Sequence, residues 1–158
     1  MDTFHYWGRS YKIEFDIKVN KPIVGADSNG YVNIFRMTTL KTGESETGKY
    51  GDRIPIMFAN SAGFFLFRSS ISGDWNDGDI WPFQINQKYH VEIVQFKDPS
   101  STAILFTIKI DGGVKYTKVN TQPTIFPEVN LYLSDKDYPS FGPSGELTNF
   151  CVTNLHNY

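Results

Sequence analysis

The hydrophobic and polar positions of this chain alternate most regularly between Tyr11 and Val19. The apolar side chains at odd positions share one side, and the charged side chains at even positions share the other. A period of two with a single apolar face is typical of a half-buried antiparallel strand. The segment therefore predicts a long strand at 11–19, against which the rest of the chain can pack.

Shorter runs of the same kind follow along the chain, separated by clusters of Gly, Pro, Asn, Asp and Ser. They predict further strands at 31–39, 53–59, 64–68, 89–96, 103–110, 114–119, 129–133 and 147–155. The composition of 40–52, 72–82 and 134–145 predicts loops instead. No long segment has a period of 3.6 residues, so the pattern predicts an all-β sandwich or barrel, in a single domain over 1–158.

Composition and charge narrow the class of protein. The 158 residues suffice for one hydrophobic core, and a net charge of −2 without a basic block argues against nucleic-acid binding. No apolar run approaches the roughly 20 residues of a membrane helix, so no membrane insertion is predicted. No signal peptide is recognisable, which leaves an intracellular protein or a domain from a longer secreted chain as alternatives. The single cysteine, Cys151, alternates with apolar neighbours and is predicted to be buried.

The order of several segments resembles the concanavalin A-like lectin/glucanase superfamily, and above all its laminin-G-like modules of extracellular animal proteins. The segments that carry this resemblance are Trp-Gly-Arg-Ser-Tyr-Lys-Ile-Glu-Phe-Asp at 7–16, Gly-Asp-Arg-Ile-Pro at 51–55, Tyr-His-Val-Glu-Ile at 89–93, Ile-Asp-Gly at 110–112, Leu-Tyr-Leu-Ser-Asp at 131–135 and Gly-Glu-Leu-Thr-Asn-Phe at 145–150. The resemblance implies a two-sheet antiparallel jelly-roll β-sandwich in which the strands at 11–19 and 147–155 pair. It also implies an extracellular or secreted location.

The charged face of the first long strand bears on catalysis, because the superfamily includes glucanases. Their motif resembles Glu-x-Asp-x-Glu, and retaining glycosidases need two carboxyl groups about 5–5.5 Å apart. In this chain Glu14 and Asp16 are followed by Lys18, which cannot be the missing carboxylate. We interpret the pattern as a solvated strand face, and a glycoside hydrolase is the least favoured of three functions.

The second predicted loop is the candidate ligand site. Two tryptophan rings can stack on the C–H groups of a sugar while neighbouring carboxylate and amide groups take hydrogen bonds from its hydroxyls. The alternative is that one or both tryptophans anchor the loop to the core. The candidate residues are Asp74, Trp75, Asn76, Asp77 and Trp81.

The polar loop at 40–52 leads into Asp52 and Arg53. It contains nothing apolar to bury, so we expect it to be mobile or ordered only by a ligand. Asp52 and Arg53 are added to the candidate ligand site, although an ion pair at the start of the next strand is the favoured alternative.

Asp135 and Asp137 are the best candidates for a metal site. Two carboxylates at i and i+2, with backbone carbonyls nearby, suit calcium, which prefers oxygen ligands. Several relatives in the resembling superfamily bind calcium in such loops. The alternative is a turn in which the aspartates accept hydrogen bonds from their own backbone.

These features predict a non-catalytic module that binds a glycan or glycoprotein at the loop rim, in cell adhesion or extracellular recognition. Such a site binds modestly, so function would require a homo-oligomer or repetition within a larger multidomain chain. The alternative is a protein–protein adhesion module on the same scaffold. Exposed rings at Trp75 and Trp81 would favour the glycan, and buried rings would favour adhesion.

Overall fold

A computed structural model describes residues 2–41, 44–98, 100–133, 138–142 and 144–155. All regular secondary structure in these residues is β, which confirms the predicted fold class. The described residues form β1 Asp2–Phe4, β2 Ser10–Val19, β3 Tyr31–Thr38, β4 Ile56–Asn60, β5 Phe64–Ile71, β6 Asp74–Pro82, β7 Lys88–Lys97, β8 Ile104–Ile110, β9 Gly113–Val119, β10 Val129–Leu133 and β11 Gly145–Leu155.

The strands form two antiparallel sheets. One has six strands in the order β1-β10-β3-β4-β5-β6, and the other has five in the order β11-β2-β7-β8-β9. β2 and β11 pair as predicted, with Ile17 opposite Leu147 and Ile13 opposite Val152.

The core lies between the sheets and is built from the alternation that defines β2. The odd-numbered side chains of β2 are at most 2% exposed, while its even-numbered charged side chains are half-buried on the outer face. Phe15 of β2 meets Phe35 of β3 edge-on, with ring centroids 5.4 Å apart. Each such fully buried side chain contributes about 1.5–3 kcal/mol to folding, so these pairs hold the two sheets together.

The prediction of a loop at 72–82 is wrong, because Asp74–Pro82 form the edge strand β6. Only Ser72 and Gly73 form the turn, and both have positive φ angles, 54° and 86°. Two such residues between antiparallel strands are typical of a tight hairpin turn. An edge strand has one neighbour only, so its sequence can be rich in Asp, Asn and Gly without the apolar alternation of an inner strand.

The burial predicted for Cys151 is also wrong, because its thiol is exposed. The register of β11 against β2 shifts between Thr148 and Cys151. Asn149 has a φ of 55° at this shift, as expected for an extra residue in a bulge. The extra residue reverses the alternation, so Phe150 and Val152 turn inward and Cys151 turns to solvent.

Candidate functional site

The candidate residues on β6 divide between two sides of the strand. Asp77 pairs with Ser69 and Asp74 with Ile71, so Trp75 and Asn76 together face a single residue of β5. This bulge reverses the alternation within β6. It directs Trp75 and Asn76 toward Arg53 on the outer face of the six-stranded sheet, whereas Asp77 and Trp81 turn toward the other sheet.

On the outer side, Arg53 occupies the groups that were candidates for ligand binding. Its Nε and Nη2 donate to the two carboxylate oxygens of Glu46 at 2.9 and 2.7 Å, and its Nη1 donates to Oδ1 of Asn76. Its Cζ lies 4.7 Å from the centre of the Trp75 ring. Asp74 is exposed, and its carboxylate accepts a hydrogen bond from the backbone N–H of Asn76 at 2.8 Å. Trp75 is therefore a stacking partner for a cation of the protein itself.

Glu46 also faces a second arginine. Arg36 is 1% exposed, its Nη2 lies 3.7 Å from Oε1 of Glu46, and its guanidinium stands over the Tyr138 ring at 5.9 Å. Burial first, and Glu46 second, raise the pKa of Tyr138 to about 12. Burial alone would lower the pKa of Arg53, but Glu46 outweighs it and the pKa is raised. Glu46 thus forms an ion pair with the half-buried Arg53 and lies close to the buried Arg36.

Asp52 orders the loop that precedes it. Its side chain accepts hydrogen bonds from the amides of Thr47 at 2.7 Å and Lys49 at 3.1 Å, and the residue is 2% exposed. Thr47 and Lys49 therefore have hydrogen-bond partners within the protein, and the expectation that the loop is mobile or ordered only by a ligand stays a prediction. The structure pairs Arg53 with Glu46 rather than with Asp52.

Asp77 links the outermost strands of the two sheets. It accepts hydrogen bonds from the Tyr116 hydroxyl and from Nζ of Lys118, both on β9, and only 10% of its side chain is exposed. Burial would raise the pKa of Asp77, but the bonds from Lys118 and Tyr116 outweigh it, so the pKa is lowered. The ionised carboxylate therefore holds β9 against β6.

Trp81 forms part of an open cleft of about 420 Å³ between the two sheets. The ring packs edge-on against Phe67 in the core, with centroids 5.1 Å apart, and stays half-buried. Tyr89 and Ile110 supply further apolar wall, and both are less than 9% exposed. The other lining residues are exposed and include Pro82, Gln87, Asp111, Gly113 and Lys115.

Sequence reasoning missed most of the residues that complete either side of β6. Glu46 lies in a segment without periodicity, and Gln87, Asp111 and Lys115 come from three separate turns or strands. Only the sheet topology brings them to Trp81. The predicted strands at 103–110 and 114–119 locate the turn at Asp111 between them, but they do not indicate what the turn faces.

The candidate calcium ligands Asp135 and Asp137 lie outside the described residues. Within the described ranges, no group of three His, Cys, Asp or Glu side chains is placed to hold a metal ion. Calcium binding at Asp135 and Asp137 stays a prediction. The same ranges contain no helix that is long and apolar enough to cross a membrane.

The carboxylates considered for hydrolysis are engaged by neighbouring side chains. Asp16 contacts Nζ of Lys88, Nδ1 of His90 and Nδ2 of Asn149 at 2.7–2.8 Å. These contacts, with Lys88 the largest contributor, hold the pKa of Asp16 far below its usual range. Glu14 pairs with Lys12 at 2.5 Å. Asp16, held ionised in this way, cannot donate the proton that glycoside cleavage requires.

No protein-family model matches the chain, and a search of curated proteins found no match. Among solved structures, the chain is similar to a native heptameric SAP-like pentraxin from Limulus polyphemus, with 16% identity and a TM-score of 0.58 over 100% of this chain and 69% of the pentraxin. It is also similar to the receptor binding domain of botulinum neurotoxin type G, with 10% identity and a TM-score of 0.56 over 99% of this chain and 36% of that domain. A third similar structure is the alginate lyase A1-II′, with 8% identity and a TM-score of 0.51 over 94% of this chain and 63% of the lyase.

These similarities confirm the predicted fold, a concanavalin A-like jelly roll of two antiparallel sheets. The chain spans about a third of the botulinum domain and about two thirds of the other two proteins. At such low identity the likeness concerns the fold, and the function must be argued from the residues of this chain.

Proposed function

We propose that this protein is a non-catalytic recognition module, folded as one domain, that binds a glycan or glycoprotein in the cleft beside Trp81. The observation that carries the proposal is the half-buried Trp81 ring on the wall of an open cleft of about 420 Å³. Ligand pockets commonly have volumes of about 300–1,000 Å³ and combine apolar walls with a few polar groups. An indole wall suits the C–H face of a pyranose, and Gln87, Asp111 and Lys115 offer hydrogen bonds to its hydroxyls.

The contacts of the two tryptophans, rather than their exposure, favour Trp81 as the binding site. Trp75 and Trp81 are both half-buried, so neither of the two exposure patterns considered above applies. Trp75 is stacked with Arg53, and the side-chain oxygen of Asn76 accepts a hydrogen bond from the same guanidinium. A sugar at Trp75 would have to displace these contacts, whereas at Trp81 it would displace water.

The non-catalytic character is argued from the carboxylates. Among the described residues lining the cleft, Asp111 is the single acidic side chain, and its Oδ1 accepts the His90 amide at 2.8 Å. Glycoside hydrolysis normally requires a pair of carboxyl groups flanking the bond. The similarity to an alginate lyase shows that the fold can accompany catalysis, so this part of the proposal rests on the cleft itself.

An open cleft of this kind, in which Trp81 offers the stacking surface, binds a single sugar weakly. The proposal therefore includes several copies of the module, in a homo-oligomer or a larger extracellular chain. Once one copy is bound, the others are held close to the ligand, so the overall binding is stronger than that of a single site. A calcium ion in the loop of Asp135 and Asp137 is part of the same proposal. The second candidate, a protein adhesion module, would use the same rim with a polypeptide as ligand.

The test is a glycan array probed with streptavidin-tetramerised protein, followed by calorimetric titration of the strongest oligosaccharide. Trp81→Ala should weaken binding about tenfold or more, which corresponds to about 1.4 kcal/mol. Lys115→Ala, at the rim and away from the core, should also weaken it and cannot act by unfolding the protein. The matched control is Trp75→Phe, which should leave the dissociation constant unchanged.

Two results would overturn the proposal. One is the absence of glycan binding by the tetramer, which would transfer the argument to the adhesion module. The other is loss of binding in Trp75→Phe with retention in Trp81→Ala, which would place the site on the outer face.

A further inference from the structure

Among the residues that the structure describes, four strands form the edges of the two sheets: β1 and β6 in one, and β9 and β11 in the other. An edge strand has a row of backbone N–H and C=O groups that can pair with a strand of another chain. Soluble proteins usually prevent such pairing with very short edge strands, charged side chains, Gly or Pro. The four edges of this protein differ in this protection.

Three of the edges are protected. β1 has only three residues. β6 carries three aspartates, a glycine and a terminal proline. β9 carries Lys115, Tyr116 and Lys118, and the last two donate hydrogen bonds to Asp77. Pairing either β6 or β9 with a second copy of itself would bring like charges together, which is unfavourable.

β11 is the exception. Beyond its bulge, Cys151–Leu155 form a regular segment of five residues, Cys-Val-Thr-Asn-Leu, without a charge, Gly or Pro. Cys151, Thr153 and Leu155 are exposed, and Leu155 is 40% exposed although apolar. The same segment pairs with β2 residue by residue, from Cys151 opposite Glu14 to Leu155 opposite Ser10, so its conformation is already that of a paired strand.

We propose that a second copy of this chain pairs antiparallel with Cys151–Leu155 and joins the two five-stranded sheets into one continuous sheet. The two-fold arrangement that uses all five residues is centred on Thr153. It places Cys151 of each copy opposite Leu155 of the other and opposes no charges. Because the same edge is used by both copies, the contact closes as a dimer and cannot extend into a fibre.

The size of the contact sets the expected strength. A standard interface buries about 800 Å² on each partner, and a pair of five-residue strands buries less. We therefore expect a reversible dimer that forms at micromolar or higher concentration. The proposal does not depend on carbohydrate binding, although a dimer would present two Trp81 clefts.

The test is sedimentation equilibrium of the full chain from about 5 to 500 µM in reducing buffer, which excludes disulfide-linked dimers. The wild type should shift from monomer to dimer over this range. Thr153→Lys places a charge at the two-fold centre and should weaken the dimer at least tenfold. A melting curve of the variant checks that the exposed substitution leaves the fold intact.

The matched control is Thr117→Lys on the opposite edge of the same sheet. Thr153, Lys12, Val94, Thr107 and Thr117 form one row across the five strands. Thr117 is exposed like Thr153, so its substitution adds the same charge in the same row and should leave association unchanged. A monomer at all concentrations, or equal weakening by the two variants, would overturn the proposal.

A cross-link tests the register. Leu155→Cys should form a disulfide with Cys151 of the second copy on mild oxidation, because directly opposed residues of antiparallel strands lie within disulfide range. In this arrangement the two native Cys151 thiols are separated by four residues, about 13 Å along the strand, so the wild type should not cross-link. Efficient cross-linking of the wild type would contradict the Thr153-centred pairing.

Discussion

Trp75 and Trp81 lie six residues apart on one strand, in two regions with opposite properties. Around Trp75, the guanidinium of Arg53 covers the ring, Glu46 neutralises that cation, and the backbone approaches closely enough that a Cβ at Gly48 would lie 3.7 Å from the indole. Around Trp81, one side of the ring contacts the core and the other borders a cleft. The bulge in β6 separates the two regions.

The difference shows that residue type alone does not make a binding site. Both rings belong to the same candidate segment and are half-buried, although Asp74 and Asn76 flank Trp75 whereas Ile80 and Pro82 flank Trp81. What separates them is whether the hydrogen-bonding and stacking capacity of the region is already used within the protein. The following predictions test that difference, in order of decreasing effect.

Glu46→Ala should have the largest effect, a loss of about 2–3 kcal/mol in the free energy of unfolding. The substitution removes the carboxylate that pairs with Arg53 and lies near the buried Arg36, and the loss of one partner of a largely buried ion pair is costly. Urea denaturation at pH 7 measures the loss. Glycan binding at Trp81 should be unchanged.

Glu44→Ala is the matched control for this variant, since Glu44 belongs to the same loop and is exposed. Its effect should stay within about 0.5 kcal/mol. A loss below about 1 kcal/mol in Glu46→Ala would mean that the Trp75 region is not held together as described.

Calcium binding at Asp135 and Asp137 should raise the melting temperature of the wild type. At a free concentration of 100 times the dissociation constant, the gain corresponds to about 2.7 kcal/mol, and EDTA should remove it. These residues precede Tyr138, whose ring contacts Phe58 and Arg36, so the ion would stabilise the Trp75 side. The measurement is thermal unfolding with calcium and with EDTA.

The Asp135→Asn, Asp137→Asn double variant should lose the calcium response, whereas Trp81→Ala should keep it. An unchanged melting temperature in the wild type at millimolar calcium would remove the metal site. A response that survives in the double variant would place the ion elsewhere.

Asp77→Asn should cost about 1 kcal/mol at pH 7, because it removes a charged acceptor from Tyr116 and Lys118. Asp77 has a lowered pKa in the folded protein, so its contribution is present above the unfolded value of about 4 and is lost as pH falls toward the folded value. The difference from wild type should therefore shrink below pH 4. Denaturation at pH 7, 5 and 3 measures it.

Asp74→Asn controls for the loss of an acidic group at the start of the same strand. Asp74 is exposed and bonded only to a nearby amide among the contacts described above, so its replacement should cost less than about 0.5 kcal/mol. A difference for Asp77→Asn that is independent of pH would contradict the role of its ionised form.

Cys151→Ser should have the smallest effect, below about 0.5 kcal/mol, because the side chain is exposed. In the wild-type monomer the thiol should react with a thiol reagent without prior unfolding. A slow reaction governed by the unfolding rate would show that the alternation beyond the bulge is not as described.

The elements that the sequence predicts well are those whose alternation comes from burial on one face. β2 alternates because it is an inner strand with one face on the core, and its boundaries differ from the prediction by a single residue. The sequence predicts a loop where β6 lies, because an edge strand in contact with polar neighbours needs no apolar period. Its role as a strand is decided by pairing with β5, which a local pattern does not contain.

The candidate site was only partly predictable for the same reason. Trp75, Asn76 and Arg53 come together as the sequence analysis proposed, but as contacts within the protein. Glu46 holds Arg53 in these contacts, but no pattern in the surrounding sequence indicates this role. A bulge likewise reverses which residues face inward, as at Cys151, and it depends on one residue at positive φ, Asn149, that no apolar pattern identifies.

The three tryptophans occupy environments that differ optically as well as chemically. Trp7 is 0% exposed and should emit at short wavelength, out of reach of a soluble quencher such as acrylamide. Trp75 lies beneath a guanidinium, and Trp81 borders the cleft. The emission of wild type minus that of Trp81→Phe therefore isolates one indole, which gives the cleft an intrinsic fluorophore for following occupancy without a label.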